Sequence, residues 1–208
     1  MKKKENVEVM LIAETNWLES IALAQDSAAA YLLDLADSKK IEIAVPEYSI
    51  YEADGSLNRK LIKRAEKIDD ALSLLGQIAQ TTHYADLCEK GREILKELKK
   101  LTLDDRTEIK RVLDEIKSMV RIIPYTSDAS TRAEIMFESS SPPFKVGDCR
   151  IYASILAFLE LIKEEYDSII FYTADKEDFD HSKIHEDLRN LGVEFMFDSG
   201  TCVERVER

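Results

Sequence analysis

Four acidic residues stand where hydrophobic runs end or helices begin. Glu14 closes Val-Met-Leu-Ile-Ala-Glu-Thr-Asn, and Glu52 lies in Val-Pro-Glu-Tyr-Ser-Ile-Tyr-Glu. Asp148 lies in Val-Gly-Asp-Cys-Arg-Ile-Tyr, and Asp175 ends Ile-Ile-Phe-Tyr-Thr-Ala-Asp. They are far apart in sequence. If the apolar runs are neighbouring strands of one parallel sheet, the acids converge outside the carboxyl ends of those strands, where open sheets bind ligands. Gathered carboxylates repel one another, and a divalent cation held through oxygen is the usual reason to gather them. Each acid alone has an ordinary reading as a helix cap or solvated loop residue. The consistent placement of all four is what points to chemistry.

The elements that must position these acids are legible from hydrophobic periodicity. Val7 to Ala13 reads as a short buried strand. Asn16 to Ala36 has helical spacing, with Thr15 or Asn16 as N-cap. Ile41 to Val45 is a second β-branched run, ended by Pro46, which can open the helix carrying Ile50 and Glu52. Two βα units in succession imply a parallel sheet. Residues 56–117 are rich in Lys, Glu, Leu, Arg and Asp and lack Pro. This block reads as two or three long amphipathic helices with breaks near Thr81 to His83 and near Thr102 to Asp104, where Asp104 or Asp105 would cap the later helix. Met119 to Ile123 reads as a strand, Ser127 to Glu138 as a helix, and Ser139 to Pro143 as a loop. Gly147-Asp148 opens a helix apolar around much of its circumference, as a central helix is. Ser168 to Thr173 reads as a strand buried on both faces. A short helix to Asn190, capped by Gly192, and a strand from Val193 to Phe197 complete the order.

Composition sets bounds. A chain of 208 residues with 45% hydrophobic and 34% charged residues fits one large domain, or one domain with an insertion. With only 6 Gly and 4 Pro, long low-complexity linkers are not expected. No run spans a bilayer, and the basic N-terminus lacks the apolar stretch of a signal peptide. Cys88, Cys149 and Cys202 have no zinc or redox spacing, so free thiols in a reducing cytoplasm are expected. Cys149 beside Asp148 invites a nucleophile reading, but no His motif stands near it. His83, His181 and His185 show no triad or ligand pattern and read as solvated helix residues. A net charge of −12 opposes nonspecific nucleic-acid binding over the whole surface, while allowing a local basic groove.

The four motifs together resemble those of PIN-domain nucleases. Val-Met-Leu-Ile-Ala-Glu-Thr-Asn is similar to their opening strand, which typically ends in Asp-Thr-Asn or Asp-Ser-Asn. Val-Pro-Glu-Tyr-Ser-Ile-Tyr-Glu resembles their second strand and the helix with their second acid. Arg-Ile-Ile-Pro-Tyr-Thr resembles the strand and turn before their later helices. Val-Gly-Asp-Cys-Arg-Ile-Tyr-Ala-Ser-Ile-Leu and Ile-Ile-Phe-Tyr-Thr-Ala-Asp-Lys-Glu-Asp-Phe resemble the segments with their third and later acids. The resemblance covers roughly residues 7–55 and 119–198. It implies an α/β class, a three-layer α/β/α fold with a mostly parallel central sheet of four to five strands. Residues 1–208 would then form a single PIN-like domain, with 56–117 as an inserted helical block. One departure stands out: Glu14 occupies the place of the usual Asp, one methylene longer.

The resemblance further implies metal-dependent hydrolysis of phosphodiester bonds by an endoribonuclease, with RNA ahead of DNA as substrate. One or two Mg²⁺ or Mn²⁺ ions would be held by Glu14, Asp148 and Asp175, with Glu52 as ligand or supporting acid. Without metal the carboxylates would titrate as a coupled set. Thr15, Asn16 and Thr173 would orient ligands or water, though the first two read equally well as caps. Asp178 would be a further acid on the metal side or a helix residue. Lys145 and Arg150 flank Asp148 and could meet phosphate. Lys60, Lys63, Arg64 and Lys67, and Lys90 through Lys100, form basic stretches that either grip a backbone or belong to solvated faces. The family also contains toxins neutralised by an antitoxin, so a toxin role with an antitoxin or other protein partner, and a homodimer, fit the resemblance. The alternative is a catalytically weak PIN-like module that binds RNA or a protein. A phosphotransfer enzyme of another doubly wound fold is disfavoured, because Glu14 stands where an Asp nucleophile is wanted. Phosphate-loop and dinucleotide fingerprints are absent.

Overall fold

The computed structural model of the chain describes residues 8–162 and 164–208. Val7 and the basic N-terminal segment lie outside the described residues. Five parallel strands form one sheet: β1 (Val9–Ala13), β2 (Glu42–Pro46), β3 (Arg121–Ile123), β4 (Ser168–Tyr172) and β5 (Val193–Met196). Their order is β3-β2-β1-β4-β5. The chain leaves β1 for β2 on one side, while β4 pairs on the other. The switch point of the topology therefore lies between β1 and β4, where open sheets leave a crevice at the strand ends. The register of this pair is Val9 to Ser168 through Ala13 to Tyr172.

Strand side chains alternate between faces. Met10, Ile12, Ala44, Ile169, Phe171 and Val193 pack in one buried cluster with α6 (Val146–Ile162) and α8 (Ser182–Asn190). α5 (Ser127–Glu138) packs on α6. The opposite face is covered by α2 (Ser27–Asp37) and α9 (Ser199–Val206), with α1 (Thr15–Ala22) packed on α2. This is the expected three-layer α/β/α arrangement. α6 buries residues on every side, including Ile151, Tyr152, Ile155, Phe158 and Leu159, which makes it the central helix. α9 was not foreseen from the sequence.

Several boundaries differ from the periodicity reading, each for a local reason. The stretch Asn16 to Ala36 is two helices. Ala24 takes a left-handed φ of 52°, and the Asp26 carboxylate accepts from the Ala28 and Ala29 amides, starting a new helix. The N-cap of α1 is Glu14, not Thr15 or Asn16. Residues 47–119 form two long helices, α3 (Glu47–Ile78) and α4 (Ala85–Met119), joined through a 3-10 turn at Thr82–Tyr84. The expected break at Thr102 is absent. Its buried hydroxyl donates back to the Leu98 carbonyl at 2.9 Å, and the helix continues past Asp104 and Asp105. Gly192 has a φ of +74°, as a helix-terminating glycine requires.

Packing divides the chain into two units, one of residues up to Ala53 together with Leu113–Arg208, the other Asp54–Val112. Cys88, Cys149 and Cys202 are free and buried. Among the described residues no helix is long and apolar enough to cross a membrane.

Candidate active site

Glu14 follows directly on β1 and Thr173 directly on β4, so strand pairing sets them side by side. The Thr173 hydroxyl donates to Glu14 Oε1 at 3.0 Å. The Asn16 amide donates to Glu14 Oε2 at 3.0 Å, which caps α1. Thr173 in turn accepts from the Asp175 amide at 3.0 Å. Asp175 caps the short helix α7 (Lys176–Phe179) by accepting from the Asp178 amide. The carboxyl ends of β1 and β4 are thus tied into one hydrogen-bonded chain.

Glu52 arrives from β2. Pro46 ends that strand, α3 begins at Glu47, and Glu52 lies in its second turn. Thr15, the first residue of α1, donates to Glu52 Oε2 at 2.7 Å. Asp148 lies in the first turn of α6. Its neighbour Gly147 makes room for Glu52: a Cβ there would stand 3.3 Å from Glu52 Oε1. Glu52 and the start of α6 are therefore in contact. Lys145, just before α6, forms an ion pair with Asp178, which is buried.

The electrostatics follow from this crowding. Burial pushes the Glu14 carboxyl up to about 7, against the pull of its Asn16 and Thr173 donors, and the charge of Asp175 adds to the rise. Burial also raises Asp148 to about 7, reinforced by the negative charges of Asp178, Glu52 and Asp175 and opposed by Lys145. Lys145 is held protonated above its ordinary value by its bond to Asp178, with Asp148 and Asp175 contributing. These groups feel one another at the carboxyl end of the sheet, where burial and like charge both disfavour ionised carboxylates.

The structure thus brings Glu14, Thr15, Asn16, Glu52, Lys145, Asp148, Thr173, Asp175 and Asp178 to one end of the sheet. Arg150 is turned onto Tyr48: its guanidinium donates to the Tyr48 hydroxyl at 2.9 Å and lies 5.1 Å from the ring centroid. Cys149 is no accessible nucleophile. It is buried, its thiol donates to the Pro143 carbonyl, and burial beside Asp148 raises it further. The basic stretches of the helical unit are partly neutralised, with Arg64 paired to Asp105, Arg92 to Glu89 and Lys99 to Asp69. His185 Nε2 lies 2.7 Å from Asp180, and His181 stacks edge-on against Phe144.

One residue and one pairing escaped sequence reasoning. Glu47 accepts from the Tyr125 amide at 3.1 Å and so ties the start of α3 to the segment after β3. An acid directly after Pro46, in a first helical turn, was the available signal. The Lys145–Asp178 pair had none, since its members are 33 residues apart and on separate elements.

A family model described as PIN domain matches residues 11–179. The chain belongs to the PIN-domain family. Among solved structures it is similar to VapBC2 from Rickettsia felis bound to a DNA fragment from their promoter. The two are 11% identical with a TM-score of 0.49, over 90% of this chain and 98% of that chain. Among curated proteins no relative matches.

Metal chemistry in a PIN domain has to be weighed against this chain's own donors. The clustered groups are carboxylates, hard oxygen donors whose mutual repulsion a cation would relieve. Among the described residues no three His, Cys, Asp or Glu side chains are disposed to ligate one ion together. Protein donors already engage both oxygens of Glu14 and one or more oxygens of Glu52, Asp175 and Asp178. Mg²⁺ keeps several waters and is commonly bound through one or two carboxylates, so the donor set suits it without a three-residue cage.

Proposed function

We propose that the protein is a metal-dependent nuclease, acting on RNA as an endoribonuclease. The observation that carries this reading is the position of Asp148, at a helix start where the negative charges of Asp178, Glu52 and Asp175 meet. Asp148 and Asp175 would hold Mg²⁺ or Mn²⁺, with Glu52 and Glu14 completing the acidic surround. When bound, the cation would lower the pKa of a water and neutralise charge on the scissile phosphate. Thr15 holds Glu52, and Thr173 holds both Glu14 and the Asp175 amide, so the two threonines fix the positions of three of the acids. Lys145 supplies a local cation beside the acids, positioned to release Asp178 and meet a phosphate as substrate enters. Residues 56–117 are read as an insertion within one domain spanning 1–208, a reading supported by a family match that runs across them.

The test is incubation with labelled single-stranded RNA and DNA in Mg²⁺, Mn²⁺ or EDTA, beside Asp148→Asn. Cleavage of RNA in Mn²⁺ or Mg²⁺ is expected, lost in EDTA and reduced at least about a hundredfold by Asp148→Asn. Cleavage that survives both would overturn the mechanism. A second reading, a PIN module that binds RNA without cutting it, is favoured by the full engagement of Glu14 with protein donors. It predicts retained RNA binding and no cleavage even in Mn²⁺.

A further inference from the structure

Phe144 is an aromatic side chain left open beside the acids. It directly precedes Lys145, whose ammonium pairs with buried Asp178, and it stands shortly before Asp148 in the chain. Its ring meets that of His181, edge to face, with centroids 5.0 Å apart. Phe144 is nevertheless 49% exposed. The aromatic side chains on the α3 side of Asp148 are employed differently: Tyr48 lies 6.1 Å from Tyr125 and carries the Arg150 guanidinium. A single exposed Phe is ordinary. This one is held in place. Buried Cys149 donates through its thiol to the Pro143 carbonyl and through its amide to the Lys145 carbonyl at 2.9 Å, which fixes the backbone on both sides of Phe144. His181 is fixed in turn, because its Nε2 donates to the Glu177 carbonyl at 3.1 Å. Two rings ordered in advance cost a ligand little further ordering.

The charges around the pair decide what it can receive. Lys145 adjoins Phe144, and Lys176, Glu177, Asp180 and Lys183 are the charged residues nearest His181 in the chain. Asp180 lies 2.7 Å from His185, and Lys176 lies over the Phe197 ring. Charges of mixed sign make no field that would hold a phosphate on the rings. A nucleobase carries no net charge and binds by its face, so mixed signs do not repel it. We propose that Phe144, with His181 beside it, stacks one base of a single-stranded RNA substrate, while the adjoining phosphate lies toward Lys145 and the acids. The proposal takes its site from the nuclease reading and adds the residue that grips the base. A base inside a duplex has both faces covered by its neighbours, so only unpaired, splayed bases can lie on a protein ring. Every base offers such a face, so Phe144 itself imposes no sequence preference.

Fluorescence anisotropy of a labelled single-stranded RNA about eight nucleotides long tests this, within the site size of single-strand binders. It is run in the Asp148→Asn background, which spares the strand, beside a ribose–phosphate strand of equal length without bases. Phe144→Ala should raise the Kd for RNA about tenfold and leave the baseless strand within about twofold. Phe144→Trp should keep RNA binding within about threefold, and RNA should quench its emission, since Trp17 is fully buried. Leu161→Ala, at the far end of α6 from Asp148, should leave both strands unchanged. Equal losses on the two strands, or an RNA Kd indifferent to Phe144→Ala, would overturn the proposal. If Phe144→Ala unfolds the chain, Phe144→Leu, which keeps apolar bulk without a ring, decides by the same comparison. Cleavage scores the nuclease reading separately. Wild-type cleavage with binding indifferent to Phe144 sinks the stacking alone, and Phe144-dependent binding without cleavage in Mn²⁺ sinks the nuclease reading alone.

Discussion

Glu14 combines roles that usually belong to different residues. Its carboxylate ends β1, caps α1 and accepts from Thr173, while being 2% exposed. Its carboxylate, one methylene longer than the Asp that the resemblance leads one to expect, accepts from both donors at once. This has a consequence for stability. With a folded pKa near 7 against an ordinary 4.5, the folded state favours the protonated acid. That preference is fully present below pH 4.5 and is lost as pH rises through 7, up to about 3 kcal/mol for this one group. Asp148 acts in the same direction. In EDTA, urea midpoints should therefore fall between pH 5 and pH 8, and Glu14→Gln should flatten that fall. An unchanged slope in the variant would show that Glu14 does not titrate in this range.

At the scale of elements, the helix break before α2 rests on one side chain. Asp26 accepts from the Ala28 and Ala29 amides and from the Ser199 hydroxyl of α9 at 2.7 Å. Asp26→Ala should cost about 1 kcal/mol for the lost cap, with a further loss from the freed Ser199, read as a lowered thermal midpoint. Asp26→Asn should recover most of it. The strands were legible because buried parallel strands are continuous apolar runs bounded by polar residues, as Ser168 to Tyr172 shows. The acids were legible because Glu14 and Asp175 stand just beyond such runs, and Glu52 and Asp148 lie near helix starts marked by Pro46 and Gly147. The break at Asp26 was not, because alanines and leucines on both sides continue the helical period across it. The unbroken course of α4 was missed for the opposite reason: Thr102, Asp104 and Asp105 look like cap residues, yet Thr102 satisfies its hydroxyl within the helix. The Lys145–Asp178 pair and the Gly147–Glu52 contact depend on tertiary approach, which no local spacing encodes.

At the scale of the molecule, burial is uneven. The sheet-bearing unit holds the large aromatic and aliphatic core, whereas the apolar residues buried in Asp54–Val112 are Leu57, Leu61, Ile68, Cys88 and Ile109. Little buried area in two long helices means low local opening free energy. Hydrogen exchange should therefore release the amides of residues 60–108 well before those of β1 and β4, and equal protection in both would contradict this ledger of burial. The strand order has a further consequence. Glu14 and the Thr173 that holds it are separated by 159 residues. Central pairing of β1 with β4 cannot begin until Ser168–Tyr172 has left the ribosome, since domains form as their parts emerge. A nascent polypeptide halted before Ser168 carries Glu14, Glu52 and Asp148 but lacks β4, so Thr173 and Asp175 cannot join Glu14 until that strand has emerged.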